Sequence, residues 1–328
     1  MRGRIVAVVV VVAVVAAAAA LVVPLPLFVV SPGSALAVED RVTLAGPSGE
    51  VSGDLLLLTV SLSRPTAVQA LAGWLDDTRD VIPRGDVVPE GVDEQDYLEA
   101  QRELFRESGQ VAAAVGLRAA GLAVDVTGQG ARVVGVVPGG PSDGRLREGD
   151  VVVAVGAAPV ALASDLAPAL AGLAAGQAAR LEVRRGGRPV EVAVRLGQVR
   201  GLDRPALGVA VETVGLDVSL PFAVDVHQGR IGGPSAGLMI ALAVFDKADP
   251  GDLAAGRRIA GTGTIDLSGR VGPVGGVTQK VKAARSAGAA VLLVPPAEAA
   301  VARRAAGGDL EVIEVATLQE AIDALSAE

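Results

Sequence analysis

Ser235 and Lys280 are the residues of this chain with the most direct route to covalent chemistry. The stretch "GGPSAGLMIALAVFDK" sets Ser235 between Pro234 and Ala236, ahead of an almost wholly apolar run. A serine becomes a nucleophile only when a base takes its proton. The chain has no cysteine and one histidine, His227, which lies upstream of Ser235 across a glycine-rich turn. The other candidate bases are lysines, and only Lys247, Lys280 and Lys282 occur among the 29 basic residues. The rest are arginines, which hold their proton too tightly to serve. On a helix opening after Gly276, Lys280 shares a face with Val277, Ala284 and Ala287, whereas Lys282 lies with Arg285 and Ser286. Lys280 is therefore expected to point inward and Lys282 toward water. Burial lowers a lysine's pKa and yields a neutral amine that can accept a serine proton. On residue types alone the base is His227 or Lys280. The alternative is a helix-start serine whose neighbouring glycines serve packing.

These side chains need elements to position them. Pro234 suits the first position of a helix, so the spacing predicts a helix over 234–245 with Ser235 in its first turn. Backbone N–H groups are free there and the helix dipole is positive. The backbone at Gly233, Pro234 and Ala236 is the expected cradle for an oxyanion. Downstream, strand-type runs at 259–266, 291–294 and 312–315 alternate with helical runs at 277–287, 297–305 and 318–325, the pattern of an α/β or α+β domain. Upstream, 41–45 and 54–60 read as strands, 66–75 as a helix, 76–92 as a loop and 93–119 as a long helix.

Residues 121–197 form a different unit of short β-type runs with one helix capped by Ser164. "VVGVVPGGPSDGRLREGDVVVAVGAAPV" resembles the core of a bacterial PDZ domain: a strand, a Gly/Pro/Ser turn, a Leu-x-x-Gly-Asp segment and a second strand. The resemblance implies capture of an extended peptide or C-terminus by strand addition. The implied groove lies between the strand entered through Gly121, Leu122, Ala123 and Val124 and the helix from Ser164.

Two longer stretches carry a second resemblance. "GGPSAGLMIALAVFDK" and "IAGTGTIDLSGRVGPVGGVTQKVKAARSAGAAVLLVP" are similar to the proteolytic domain of Lon proteases. That family works with a Ser-Lys dyad, its serine in Gly-Pro-Ser-Ala-Gly and its lysine about as far downstream as the 45 residues found here. The resemblance implies Ser235 as nucleophile, Lys280 as general base and Thr262 as a threonine that orients the lysine. "LFRESGQVAAAVGLRA", residues 104–119, resembles the helix before the catalytic half of Lon domains, which makes the PDZ-like module an insertion. One departure is Gly232, near where many members carry an acidic residue before Gly-Pro-Ser. Another is the absence of a Gly-x-x-x-x-Gly-Lys-Ser/Thr loop, so no ATPase module, and no use of ATP, is expected.

At the N-terminus, Ile5–Val23 is an unbroken apolar run of 19 residues. At about 1.5 Å per residue it reaches about 28 Å, close to the hydrocarbon thickness of a bilayer. Arg2 and Arg4 precede it, and Glu39 and Asp40 follow, which puts the N-terminus in the cytoplasm and the bulk of the chain outside. A signal peptide cleaved after Ala35-Leu-Ala37 is the rival reading. A net charge of −8 argues against nucleic acid as a partner. Without cysteine there is no disulfide, thiolate catalysis or Cys-ligated zinc, and neither a metal nor another cofactor is expected.

The sequence thus leads to an α+β protein with four parts: an anchor in 1–37, the first part of a Lon-like domain in 38–120, a PDZ-like module in 121–199 and the catalytic part in 200–328. It resembles the membrane-anchored PDZ-containing Lon-like serine proteases of bacteria. The expected activity is ATP-independent endoproteolysis of protein or peptide substrates with extended or C-terminal segments, by one copy or a homo-oligomer. The alternative is a non-catalytic peptide-binding scaffold that retains a protease fold.

Overall fold

Leu55, Leu56, Leu57 and Leu58 are consecutive and all buried, which a strand achieves only when both of its faces are covered. They form the centre of the main sheet in a computed structural model of the chain. The structure describes residues 20–326 apart from 47, 50, 90, 199–204 and 250, together with 10, 11, 14, 15 and 18. Two compact units emerge: residues 1–122 with 222–328, and an inserted unit, Ala123–Pro221.

The first unit begins with β1 (Leu27–Ala37), β2 (Val42–Leu44), β3 (Asp54–Ser63), α1 (Ala67–Trp74), β4 (Asp80–Pro83) and α2 (Glu94–Ala119). The inserted unit contains β5 (Asp125–Thr127), β6 (Ala131–Val136), β7 (Val151–Val155), β8 (Ala158–Pro159), α3 (Leu166–Leu170), β9 (Ala178–Arg185), β10 (Arg188–Arg195), β11 (Val209–Thr213) and β12 (Asp217–Ser219). The chain then returns through β13 (Val224–Val226), α4 (Gly237–Ala248), β14 (Arg258–Gly261), β15 (Thr264–Ile265), β16 (Val271–Gly272), α5 (Val277–Ser286), β17 (Val291–Val294), α6 (Pro296–Ala306), β18 (Glu311–Glu314) and α7 (Leu318–Ser326).

The main sheet has the order β18-β17-β14-β3-β1-β4, parallel from β18 to β3 and antiparallel from β3 to β4. Leu56, Leu58, Ala260, Leu292 and Val294 face Val277, Val281 and Ala284 of α5 and Ala299 and Ala302 of α6. Side chains alternate along a strand, so the intervening residues turn to the opposite face, where Met239 of α4 closes on Gly261. The next layer is α2, whose buried stripe of Phe105, Ala112 and Val115 lies on the α4 side.

Three expectations change. Residues 24–37 were expected to continue or flank the apolar N-terminal run. Leu27–Ala37 is instead an interior strand, and Phe28, Val29 and Val30 are apolar because they are core. A bulge between Pro32 and Ala35 interrupts its pairing with β3, which hides the strand period in the sequence. Cleavage after Ala37 would remove this strand. The apolar run itself lies largely outside the described residues; among those described, no helix is long and apolar enough to cross a membrane. Second, the loop expected over 76–92 contains the edge strand β4. Third, the inserted unit runs on to Pro221, past the expected break at 199, because β11 pairs with β6 and β12 with β5.

In that unit, β10-β9-β7-β6-β11 is an antiparallel sheet around Val133, Val152, Leu181, Val183 and Val194. The Leu-x-x-Gly-Asp segment has a structural reason. Asp150 is buried, accepts from the Arg147 N–H at 2.9 Å, and takes two guanidinium bonds from Arg185 at 2.8 and 2.7 Å. Gly121 and Leu122, expected in a peptide groove, close α2 instead: their N–H groups donate to the carbonyls of Arg118 and Leu117. Ala123 and Val124 lead into β5.

Candidate active site

The structure brings Ser235, Lys280 and Thr262 together from three elements. Lys280 is in the first turns of α5, on its buried face, only 3 % exposed. Its Nζ donates to Ser235 Oγ at 3.1 Å and to Thr262 Oγ1 at 2.9 Å. Thr262 follows β14 and is also buried; its hydroxyl donates to the Ser235 carbonyl at 3.1 Å. The next residue, Gly263, donates its N–H to the same carbonyl at 2.9 Å. Thr262 therefore accepts from the lysine and grips the backbone of the serine at once. Burial pushes the Lys280 ammonium down from 10.5 to about 8, with the negative charge of Glu298 pulling the other way.

The serine's backbone differs from the sequence expectation. The helix starts at Gly237 with Ala236 as its cap, so Ser235 stands before the helix, not in its first turn. The Ser235 carbonyl is committed to Gly263 and Thr262 and cannot begin the helical ladder. Gly233 has φ of +81°, a left-handed conformation that glycine takes at no steric cost. Its N–H donates to the carbonyl of Gln101 in α2 at 2.8 Å. It is thus unavailable to an oxyanion, and Pro234 has no N–H to offer. Among the described residues, the N–H groups of Ser235 and Ala236 have no acceptor. The expected cradle narrows to Ala236, joined by the serine's own N–H.

His227 is exposed, and its ring makes no hydrogen bond among the described residues. Its carbonyl accepts from Arg41. Lys247 donates to the Glu39 carbonyl at 2.9 Å and so serves to hold the backbone. Lys282 is half-buried, less open to water than its position on α5 suggested.

Sequence reading missed three supporting residues. Ser108 of α2 donates to the Pro234 carbonyl at 3.2 Å, fixing the turn just before Ser235. A serine on the stripe of Phe105 and Ala112 was its visible signal. Gln101 gave none, because it acts through its backbone carbonyl. Glu298 sits near the start of α6 and receives the Val274 N–H at 3.4 Å. Beyond Gly263 the chain enters the β15–β16 hairpin, which lines a cavity of about 320 Å³ with Thr264, Asp266 and Arg270.

Two family models match parts of the chain. Residues 222–326 match the Lon protease (S16) C-terminal proteolytic domain. The chain carries a Lon-type proteolytic domain. Residues 119–196 match the PDZ domain, which falls largely within the inserted unit. Over 109 residues the chain is 35% identical to Lon protease 2 of Bacillus subtilis, covering 31% of this chain and 19% of that protein. Over 67 residues it is 45% identical to the Lon protease of Roseiflexus castenholzii, covering 20% of this chain and 8% of that protein. The match thus spans less than a fifth of the length of either relative. Among solved structures, the PDZ domain of an SdrC-like protein from Listeria monocytogenes is 14% identical and covers 25% of this chain and 87% of that one, with a TM-score of 0.24. The Lon-type domain contains Ser235, Thr262 and Lys280, and the PDZ domain ends before it begins.

Proposed function

We propose that this protease is an ATP-independent serine endopeptidase with Ser235 as nucleophile and Lys280 as general base. The observation that carries the reading is the contact of a buried lysine with the serine hydroxyl at 3.1 Å. In the neutral amine, one N–H continues to donate to Thr262 Oγ1, which leaves the lone pair for the Ser235 O–H. As Ser235 Oγ attacks the scissile carbonyl carbon, its proton passes to Lys280 Nζ. The oxyanion that forms is stabilised by the N–H groups of Ser235 and Ala236. Lys280 then returns the proton to the leaving amine, and an acyl-enzyme remains. Water enters, Lys280 takes its proton, and the ester is hydrolysed. A carbonyl held by Thr262, Gly263 and the turn fixed by Ser108 keeps the nucleophile still throughout.

The PDZ domain would capture an exposed C-terminus or extended segment and raise its concentration at the dyad. The chain would be held at the cell membrane by residues 5–23, with its N-terminus in the cytoplasm and its domains outside, as Arg2 and Arg4 favour. Membranes carrying the wild type and Ser235→Ala proteins test the reading. A substrate should accumulate with the variant, and the purified wild type should cleave an unstructured peptide without ATP. Equal cleavage by preparations of the folded Ser235→Ala and Lys280→Arg proteins would assign the activity to a contaminant and replace the enzyme by the scaffold reading.

A further inference from the structure

Helix α1 is apolar on both sides. Ala70 and Gly73 are buried; a Cβ on Gly73 would stand 2.9 Å from Val81 of β4 and 3.6 Å from Val29 of β1. The outward face should be polar if it met only water. It carries instead Val68, Leu71, Trp74 and Leu75, at 48, 57, 68 and 82 % exposure, with the small Ala72 between them. Gln69 is the one polar side chain in the helix, and it is spent on a capping box with Thr66. A contiguous exposed patch of this kind, on a helix with no polar face of its own, marks a surface that meets something apolar.

The end of the N-terminal run says what that is. Pro24 forms a backbone bridge with Thr66, the cap of α1, and the Leu25 N–H donates to the Pro65 carbonyl at 2.8 Å. The apolar run that stops at Val23 is therefore tied to the foot of the exposed helix. Leu21, Val22 and Val23 are exposed and continue the patch toward the run. Val23 is followed directly by the residue that pairs with the cap of α1, so the end of the run and the exposed face of the helix are neighbours. We propose that α1 lies in the headgroup layer of the same bilayer, with Leu71, Trp74 and Leu75 inserted, as a second foot that fixes the protease domain against the membrane. This rests on the membrane reading of the N-terminal run. Tryptophan and leucine on one side of a surface helix suit that layer, where an aromatic ring is favoured. A single-span tether leaves a domain free to tumble; a second contact next to it sets which side faces the lipid.

Trp74 is the only tryptophan of the chain and reports its own surroundings. The full-length protein is placed in lipid nanodiscs made with ordinary or acyl-brominated phospholipid. Trp74 emission should be lost in the brominated discs and resist aqueous iodide. Leu71→Glu combined with Leu75→Glu should reverse both results while peptide cleavage stays unchanged. If Trp74 in disc-bound protein is quenched by iodide and not by bromine, the helix is in water and the proposal fails while the anchor stands. If both quenchers leave Trp74 untouched, protein covers the face, whether a second copy or residues 5–23, and the proposal also fails. Protein that never co-elutes with discs overturns the anchor and the proposal together.

Discussion

The pH dependence of cleavage tests the proposed base most sharply. Lys280 must be neutral to act, and its pKa lies at about 8 because the side chain is buried. With that value, about one molecule in ten is active at pH 7, half at pH 8 and about nine in ten at pH 9. The rate on an unstructured fluorogenic peptide should rise about tenfold from pH 7 to pH 9 and then level off. A lysine at its ordinary 10.5 would give about a hundredfold rise over the same interval and no plateau below pH 10. Glu298 supplies a second perturbation. Its negative charge holds the lysine's pKa up, so Glu298→Gln should move the midpoint below that of the wild type, raising the rate at pH 7 while leaving the plateau in place. The amide retains an oxygen for the Val274 N–H. Lys280→Arg should be inactive at every pH, and His227→Ala should trace the wild-type curve. Activity that is lost in His227→Ala and kept in Lys280→Arg would make the histidine the base. A rate that climbs about tenfold between pH 8 and pH 9, where a lysine at about 8 gives only about twofold, would mean that burial does not tune the lysine, and the mechanism would fall with it.

Two further predictions concern the scaffold. Gly116→Ala would put a Cβ 2.5 Å from the Ala241 carbonyl oxygen, so α2 and α4 must separate; a loss of about 1–3 kcal/mol in urea denaturation is expected. Cleavage should fall further than stability, since α2 holds the turn at Gly233 and Pro234 through Gln101 and Ser108. Glu39 is raised from 4.5 to about 7 by burial, and among the described residues one of its oxygens has no partner. An acid raised in the folded state binds its proton more tightly there, so its contribution to stability is full below pH 4.5 and declines as the pH rises to about 7. Glu39→Gln keeps an acceptor for the Leu55 N–H at 2.7 Å in the wild type and should match the wild type's denaturation midpoint at pH 4, then exceed it at pH 8. A constant gap between the two across that range would show that the carboxyl titrates alike in the folded and unfolded protein and that burial does not raise it.

The pairing of Ser235 with Lys280 was legible because it depends on local pattern. An apolar helix after Ser235 and a lysine on the alanine face of α5 are both visible in stretches of a dozen residues. Thr262 became visible only through resemblance, since its role is to join two loops that are neighbours in space. What could not be read were commitments of backbone groups to distant residues. Gly233 looked like an oxyanion donor until its N–H was found on Gln101, in a helix on the far side of the inserted unit in sequence. The strand β1 was hidden differently: its core residues are continuous with the apolar N-terminal run, and its bulge removes the alternation that would separate them.

These misses share a consequence for the chemistry. Ser235, the proposed nucleophile, stands ahead of a helix, not within it, so the helix alone cannot fix its position. Outside contacts at three backbone groups do so: Thr262 and Gly263 on the Ser235 carbonyl, Ser108 on the Pro234 carbonyl, and Gln101 on the Gly233 N–H. Two of the three are held from α2, which the chain completes before it enters the PDZ domain, while Ser235 and Lys280 come after it. In the sequence, the inserted domain therefore divides Ser235 and Lys280 from the helix that holds the turn before Ser235. The half that bears both reactive groups, residues 222–328, lacks the partners that hold Gly233 and Pro234, and its reactive turn is complete only when α2 has packed against α4.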